Sequence, residues 1–107
     1  MKYFGIKSSI GSCQVFVKLN ETDDVILKHI VRHSPDGFQW GYGGSGPSDL
    51  ALSILTDYNN RYGLKGLNIN CIYQRFKEDF LITAGRDLSI NNEEIEKWLD
   101  KMKKEKK

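Results

Sequence analysis

The hydrophobic period of this chain changes once, from two to roughly 3.6. The change falls on one glycine-rich stretch, FQWGYGGSGPSDLALSIL, from Phe38 to Leu55. Upstream, KYFGIKS (Lys2 to Ser8) and CQVFVKL (Cys13 to Leu19) are rich in aromatic and β-branched residues and alternate in polarity, so they read as a hairpin closed through Gly11. In the second segment Val15, Val17 and Leu19 share one face and Gln14, Phe16 and Lys18 the other, which puts an aromatic ring on the outer side. A second hairpin is expected, with about Lys28 to His33 pairing with Phe38 to Tyr42 across the type I turn residues Ser34, Pro35, Asp36 and Gly37.

Downstream of the glycines the pattern is helical. Pro47 suits the first helical position, where its missing N–H costs nothing, and Leu50, Ile54 and Tyr58 recur on one stripe that ends near Gly63. A second helix is expected from an Asn70 cap to Ala84, with Ile72, Phe76 and Phe80 on one stripe and Gly85 as its stop. A third begins with capping-box spacing between Asn91 and Glu94 and a hydrophobic staple of Ile90 on Ile95, then carries Trp98, Leu99 and Met102 on the same face. Strands followed by helices predict an α+β fold, with an antiparallel sheet of about four strands in two hairpins and three helices packed on one of its faces.

The 107 residues make one domain. No apolar run is long enough to span a bilayer, and MKYFGIKSSIGS has no uninterrupted apolar core of a signal peptide, so the expected location is cytoplasmic. Cys13 and Cys71 then read as reduced thiols, too few and too far apart for a zinc site or a disulfide scaffold. The net charge of +2 hides an uneven distribution. The closing KMKKEKK, residues 101–107, carries five Lys and one Glu and reads as a frayed helix end, while the rest of the chain is slightly acidic. Nucleic acid is therefore not the expected partner.

Gly41-Tyr42-Gly43-Gly44-Ser45-Gly46 formally satisfies G-x-G-x-x-G. A dinucleotide fingerprint also needs a parallel βαβ unit and an acidic residue about twenty positions on, and a Walker loop needs Gly-Lys-Ser/Thr, all missing here. A more general capacity remains. Glycines before a helix leave first-turn amides pointing outward, and such a nest can hold a phosphate or carboxylate. The candidate ligand-binding set is Trp40, Tyr42, Gly43, Gly44, Ser45 and Gly46, with the two rings, alternate in the incoming strand, stacking on a base. Against it, Asp49 could accept from the same amides and bring negative charge, and neither Lys nor Arg lies in the loop. In the competing view the loop is a structural corner.

No metal or cofactor is expected, since His29 and His33 lack a third ligand with suitable spacing. His33, Ser34, Asp36, Ser45 and Asp49 supply the residue types of a hydrolytic triad, but Ser45 sits in G-G-S-G-P, not in a nucleophile elbow, so no catalytic residue is assigned.

The string HSPDGFQWGYGGSGPSDLALSIL, with YQRFKEDFL at Tyr73 to Leu81, resembles a small uncharacterised domain family of bacteria, their phages and mobile elements. The chain departs from that pattern in RYGLKGLNIN and in TAGRDLSINN. The resemblance implies an accessory, stoichiometric role and assigns no catalytic or binding residue. Three functions stay open: a non-enzymatic binder of a nucleotide-derived anion at the corner, acting as an anti-defence factor; an interaction or inhibitor module that engages a host protein; and a small hydrolase. A homo-oligomer is compatible with the first two.

Overall fold

The computed structural model describes residues 1–7, 13–32 and 37–105. Alternating apolar side chains produce the expected first hairpin: β1 (Lys2–Lys7) runs antiparallel to β2 (Cys13–Lys18), with Lys2 opposite Lys18, Phe4 opposite Phe16 and Lys7 opposite Cys13. Its tip at Gly11 lies outside the described residues, as do His33 and Ser34 to Asp36 of the second turn. The short β3 (Asp24–Ile26) adds to β2, and β4 (Leu88–Asn91) adds to the free side of β1, giving a four-stranded antiparallel sheet in the order β3-β2-β1-β4. Tyr3, Val15, Val17, Leu88 and Ile90 are buried on its inner face.

The sheet reaches four strands by a different route from the one expected. Among the described residues, 27–32 and 37–40 form no strand. Leu27 N still donates to Val15 O of β2 at 3.0 Å, but two later amides of the first segment are captured by a helix: Ile30 N donates to Ser53 Oγ at 2.8 Å and Arg32 N to the Asp49 carboxylate at 3.2 Å. The two segments meet at the His29 ring, which lies 4.5 Å from that of Phe38. The fourth strand comes from LSIN, placed between helices, so the order is not simply strands and then helices.

Helix α1 (Ser45–Tyr62) starts two residues before Pro47, ends at Gly63, and buries Leu50, Ala51, Ile54, Leu55 and Tyr58. Helix α2 (Ile69–Phe76) is capped by Asn68, whose side chain accepts from Asn70 N at 2.9 Å, so Asn70 lies inside the helix and is not its cap. It continues through one wide π turn at Lys77–Leu81, in which Ile82 N reaches back to Lys77 O at 3.0 Å, and stops before the expected Ala84. Helix α3 (Asn92–Glu105) has the expected capping box: Glu94 N donates to Asn91 Oδ1 at 2.8 Å and Asn91 N to Glu94 Oε1 at 3.2 Å. Met102 is buried, and the helix runs on into the lysine-rich end as far as Glu105. Trp98 packs edge-on against Phe76 at 5.1 Å and donates its indole N–H to Asp79 Oδ2 at 2.8 Å, joining α3 to α2.

One cross-layer bond has a pH signature. The Tyr3 hydroxyl, buried beneath α1, donates to Asp57 Oδ2 at 2.7 Å, and the same oxygen accepts from Arg61 Nε at 2.7 Å. Burial first, and the Asp57 hydrogen bond second, push Tyr3 ionisation far above its ordinary value. An unfolded tyrosine loses its proton near pH ~10, where the folded chain still holds it, so the folded state then binds more protons and stability falls as pH rises through that region. Urea midpoints followed from about pH 9 to about pH 11.5 should decline less steeply in Tyr3→Phe than in the wild type. Equal slopes would show that Tyr3 is not the linked group.

Candidate functional site

The residues singled out in the glycine stretch do not form one surface. Trp40 is fully buried and sits over Gly5 of β1 so closely that a Cβ there would fall 2.6 Å from its Cη2. Its indole N–H donates to Gly85 O at 2.9 Å, and Lys7 Nζ lies 5.1 Å from the ring centroid while donating to Trp40 O at 2.8 Å. The ring is a core element and offers no stacking face. The expectation that Trp40 and Tyr42 share a face fails because no strand runs through them and Gly41, at φ +90°, turns the backbone between them. Gly41 N donates to Leu81 O at 2.7 Å, which latches the corner to the end of the π turn.

Tyr42 is 49 % exposed and its ring leans against Gly44. Gly44 is the extended cap residue of α1 and supplies no side chain to the first-turn amides; its carbonyl accepts from Ser48 N at 3.2 Å and Ser48 Oγ at 3.1 Å. Ser45 is exposed, Gly43 lies beside Ile82, and Gly46 is buried against Gln39. The glycines therefore have packing roles that can be ranked. A Cβ at Gly46 would meet Gln39 Cβ at 2.7 Å and its backbone N at 3.1 Å, a contact with the main chain, whereas one at Gly44 meets only the mobile end of Tyr42. Gly46→Ala should cost about 1–3 kcal/mol and Gly44→Ala clearly less, as read from denaturant midpoints. The reverse order would contradict the corner geometry.

Asp49 does not cap its own helix. It is fully buried, and its carboxylate accepts from Arg32 N and lies 3.0 Å from His29 Nε2. Arg32 in turn donates Nη1 to Asn70 Oδ1 at 2.7 Å and lies 5.8 Å from the Tyr73 ring centroid, so one chain of polar contacts ties the 27–32 segment to both α1 and α2. Of the residue types suited to a hydrolytic triad, this brings together Asp49 and His29; His33, Ser34 and Asp36 lie outside the described residues. Two objections to an anion at the corner change with this geometry. The first turn of α1 carries no acidic residue, and a cation distant in sequence is at hand, with Lys7 Nζ 3.6 Å from where a Gly41 Cβ would lie.

A second surface lies on the far side of the sheet. The helices cover one face only. On the other, Phe4 and Phe16 stack with centroids 5.3 Å apart and planes at 25°. The register sets Ser89, Phe4, Phe16 and Ile26 in one row across β4, β1, β2 and β3. Ile26 is 78 % exposed and Ile6, beside the row on β1, 53 %. Phe4 and Phe16 are half-buried and Ile6 and Ile26 exposed, so the row forms an apolar patch of the general kind at which partners bind. Sequence alternation placed Phe16 outside; the same alternation in β1, with Tyr3 and Gly5 facing in, was the available signal for Phe4 and Ile6.

Residues 3–101 match the family described as "Family of unknown function (DUF6166)". The chain belongs to this family. The match runs from within β1 to within α3, and it assigns no activity to any element between them. Comparison with curated proteins and with solved structures returns no match. Among the described residues no helix is long and apolar enough to cross a membrane.

Proposed function

We propose that the protein is a non-enzymatic interaction module that binds another protein surface through the open face of its sheet, the glycine corner serving to seat α1. The observation that carries this reading is the stacked Phe4–Phe16 pair, flanked by Ile6 and Ile26, on the uncovered side of a two-layer fold. Burying such a patch removes apolar area from water at about 25 cal/mol per Å² of gross driving force. A photo-crosslinking side chain at position 16 should trap protein in a cell extract far more efficiently than the same group at Lys97, an exposed position on α3. Equal yields from the two positions would defeat the proposal.

A second reading has its own support. With Asp49 turned inward and Lys7 brought to the corner, the amides opening α1 and the half-exposed Tyr42 ring could receive a nucleotide-derived anion, though with one ring where two were expected. A panel of nucleotides and cyclic nucleotides tests it by thermal shift. A true ligand at about a hundred times Kd adds ~2.7 kcal/mol and loses most of that with Tyr42→Ala, while no shift with any of them removes this reading.

A further inference from the structure

We infer that the open sheet face pairs with the same face of a second copy of this chain, an inference that rests on its being an interaction surface. The charges at its two ends select the partner. Lys2 and Lys18 lie opposite one another at one end, Asp24 offsetting Lys18 through a 3.7 Å ion pair, while Asp87 borders the other end beside Ile6. Between the ends runs the row Ser89, Phe4, Phe16, Ile26. A two-fold axis along this row maps Phe4 onto Phe4, Phe16 onto Phe16 and Ile26 onto Ile26, and carries Asp87 of each copy over the Lys2 and Asn91 end of the other. The alternative axis, parallel to the strands, sets Lys2 over the Lys18–Asp24 pair and moves Asp87 away from Lys2, so it forms no new ion pair between these groups. The face is therefore complementary to itself in one orientation, the condition for an isologous dimer. The two layers would stack about 10 Å apart with strands roughly 30° from alignment, as in a β-sandwich.

The face is small. Four strands by about five residues is roughly 19 by 17 Å, below the ~800 Å² per partner of a standard interface, so association is weak and concentration-dependent. A single-stranded nucleic acid would also stack on exposed rings, but two lysines balanced by Asp24 and Asp87 give no basic groove for a backbone to follow.

Sedimentation of the full chain over a wide concentration range is the test, with circular dichroism confirming that each variant is folded. The wild type should pass from monomer to dimer. Phe16→Asp, an outer-face change, should abolish the dimer, Asp87→Lys should weaken it by tenfold or more, and the exchanged pair Lys2→Asp with Asp87→Lys should restore it. A wild type that stays monomeric overturns the inference. If its position-16 crosslink still traps another protein, the interaction reading survives without the second copy, and if it binds single-stranded RNA through Phe4 and Phe16, both fall. A dimer that persists in Phe16→Asp places the interface elsewhere and overturns the inference as well.

Discussion

Trp40→Ala should lower the stability of this fold by about 4 kcal/mol, enough to move a domain of this size down by some 15 °C or more. The residue contributes more than area: its ring fills the space above Gly5, its N–H satisfies Gly85 O, and its face receives Lys7. The sharper form of the result is a double-mutant cycle with Gly5. In the wild type Gly5→Ala is costly, because the added Cβ falls 2.6 Å from Cη2 and 2.9 Å from Cζ3 of a fully buried, immobile ring. Once Trp40 has been cut back to Ala, the same substitution enters a cavity and becomes neutral or favourable. The coupling should exceed ~1 kcal/mol in urea denaturation, as expected for residues in direct contact. Strict additivity would mean that the two do not touch.

Asp49→Ala should cost about 3 kcal/mol, because it removes one member of a buried polar set and leaves the Arg32 amide and the His29 ring unsatisfied. Asp49→Asn keeps an acceptor and should cost markedly less. Hydrogen exchange separates a local from a global effect. The Arg32 amide should lose protection in Asp49→Ala beyond what the overall stability loss accounts for, while amides in β1 follow that loss alone. Unchanged protection at Arg32 would show that another group holds the segment.

The same aspartate explains where sequence reasoning stopped short. The first hairpin, the capping box at Asn91 and Glu94, and the apolar stripe of α1 were legible because each is decided by neighbours a few residues apart, although α1 begins at Ser45 and not at Pro47. The expected second hairpin was not, because the Ile30 and Arg32 amides find acceptors in Ser53 and Asp49 on a helix about twenty positions away, and no local pattern reports that. β4 was overlooked because four residues make a weak alternation, Leu88 and Ile90 in, Ser89 and Asn91 out, immediately ahead of a strong helix signal. At the candidate sites, alternation predicted Trp40 and Tyr42 together, and Gly41 at positive φ separated them. Lys7 entered the corner, and the Phe4–Phe16 stack became visible, only once distant segments had been placed.

The position of β1 also bears on how the molecule is made. Of the four strands of this sheet it is synthesised before the others, yet it lies inside the sheet, with one flank supplied by β2 almost at once and the other by β4, which comes after α1 and α2. During translation its open flank must wait until Leu88–Asn91 has emerged, with unpaired main-chain groups exposed to any passing strand. Chains arrested before Leu88 should therefore be the species most in need of chaperone protection, and completion of the sheet should set the pace of folding.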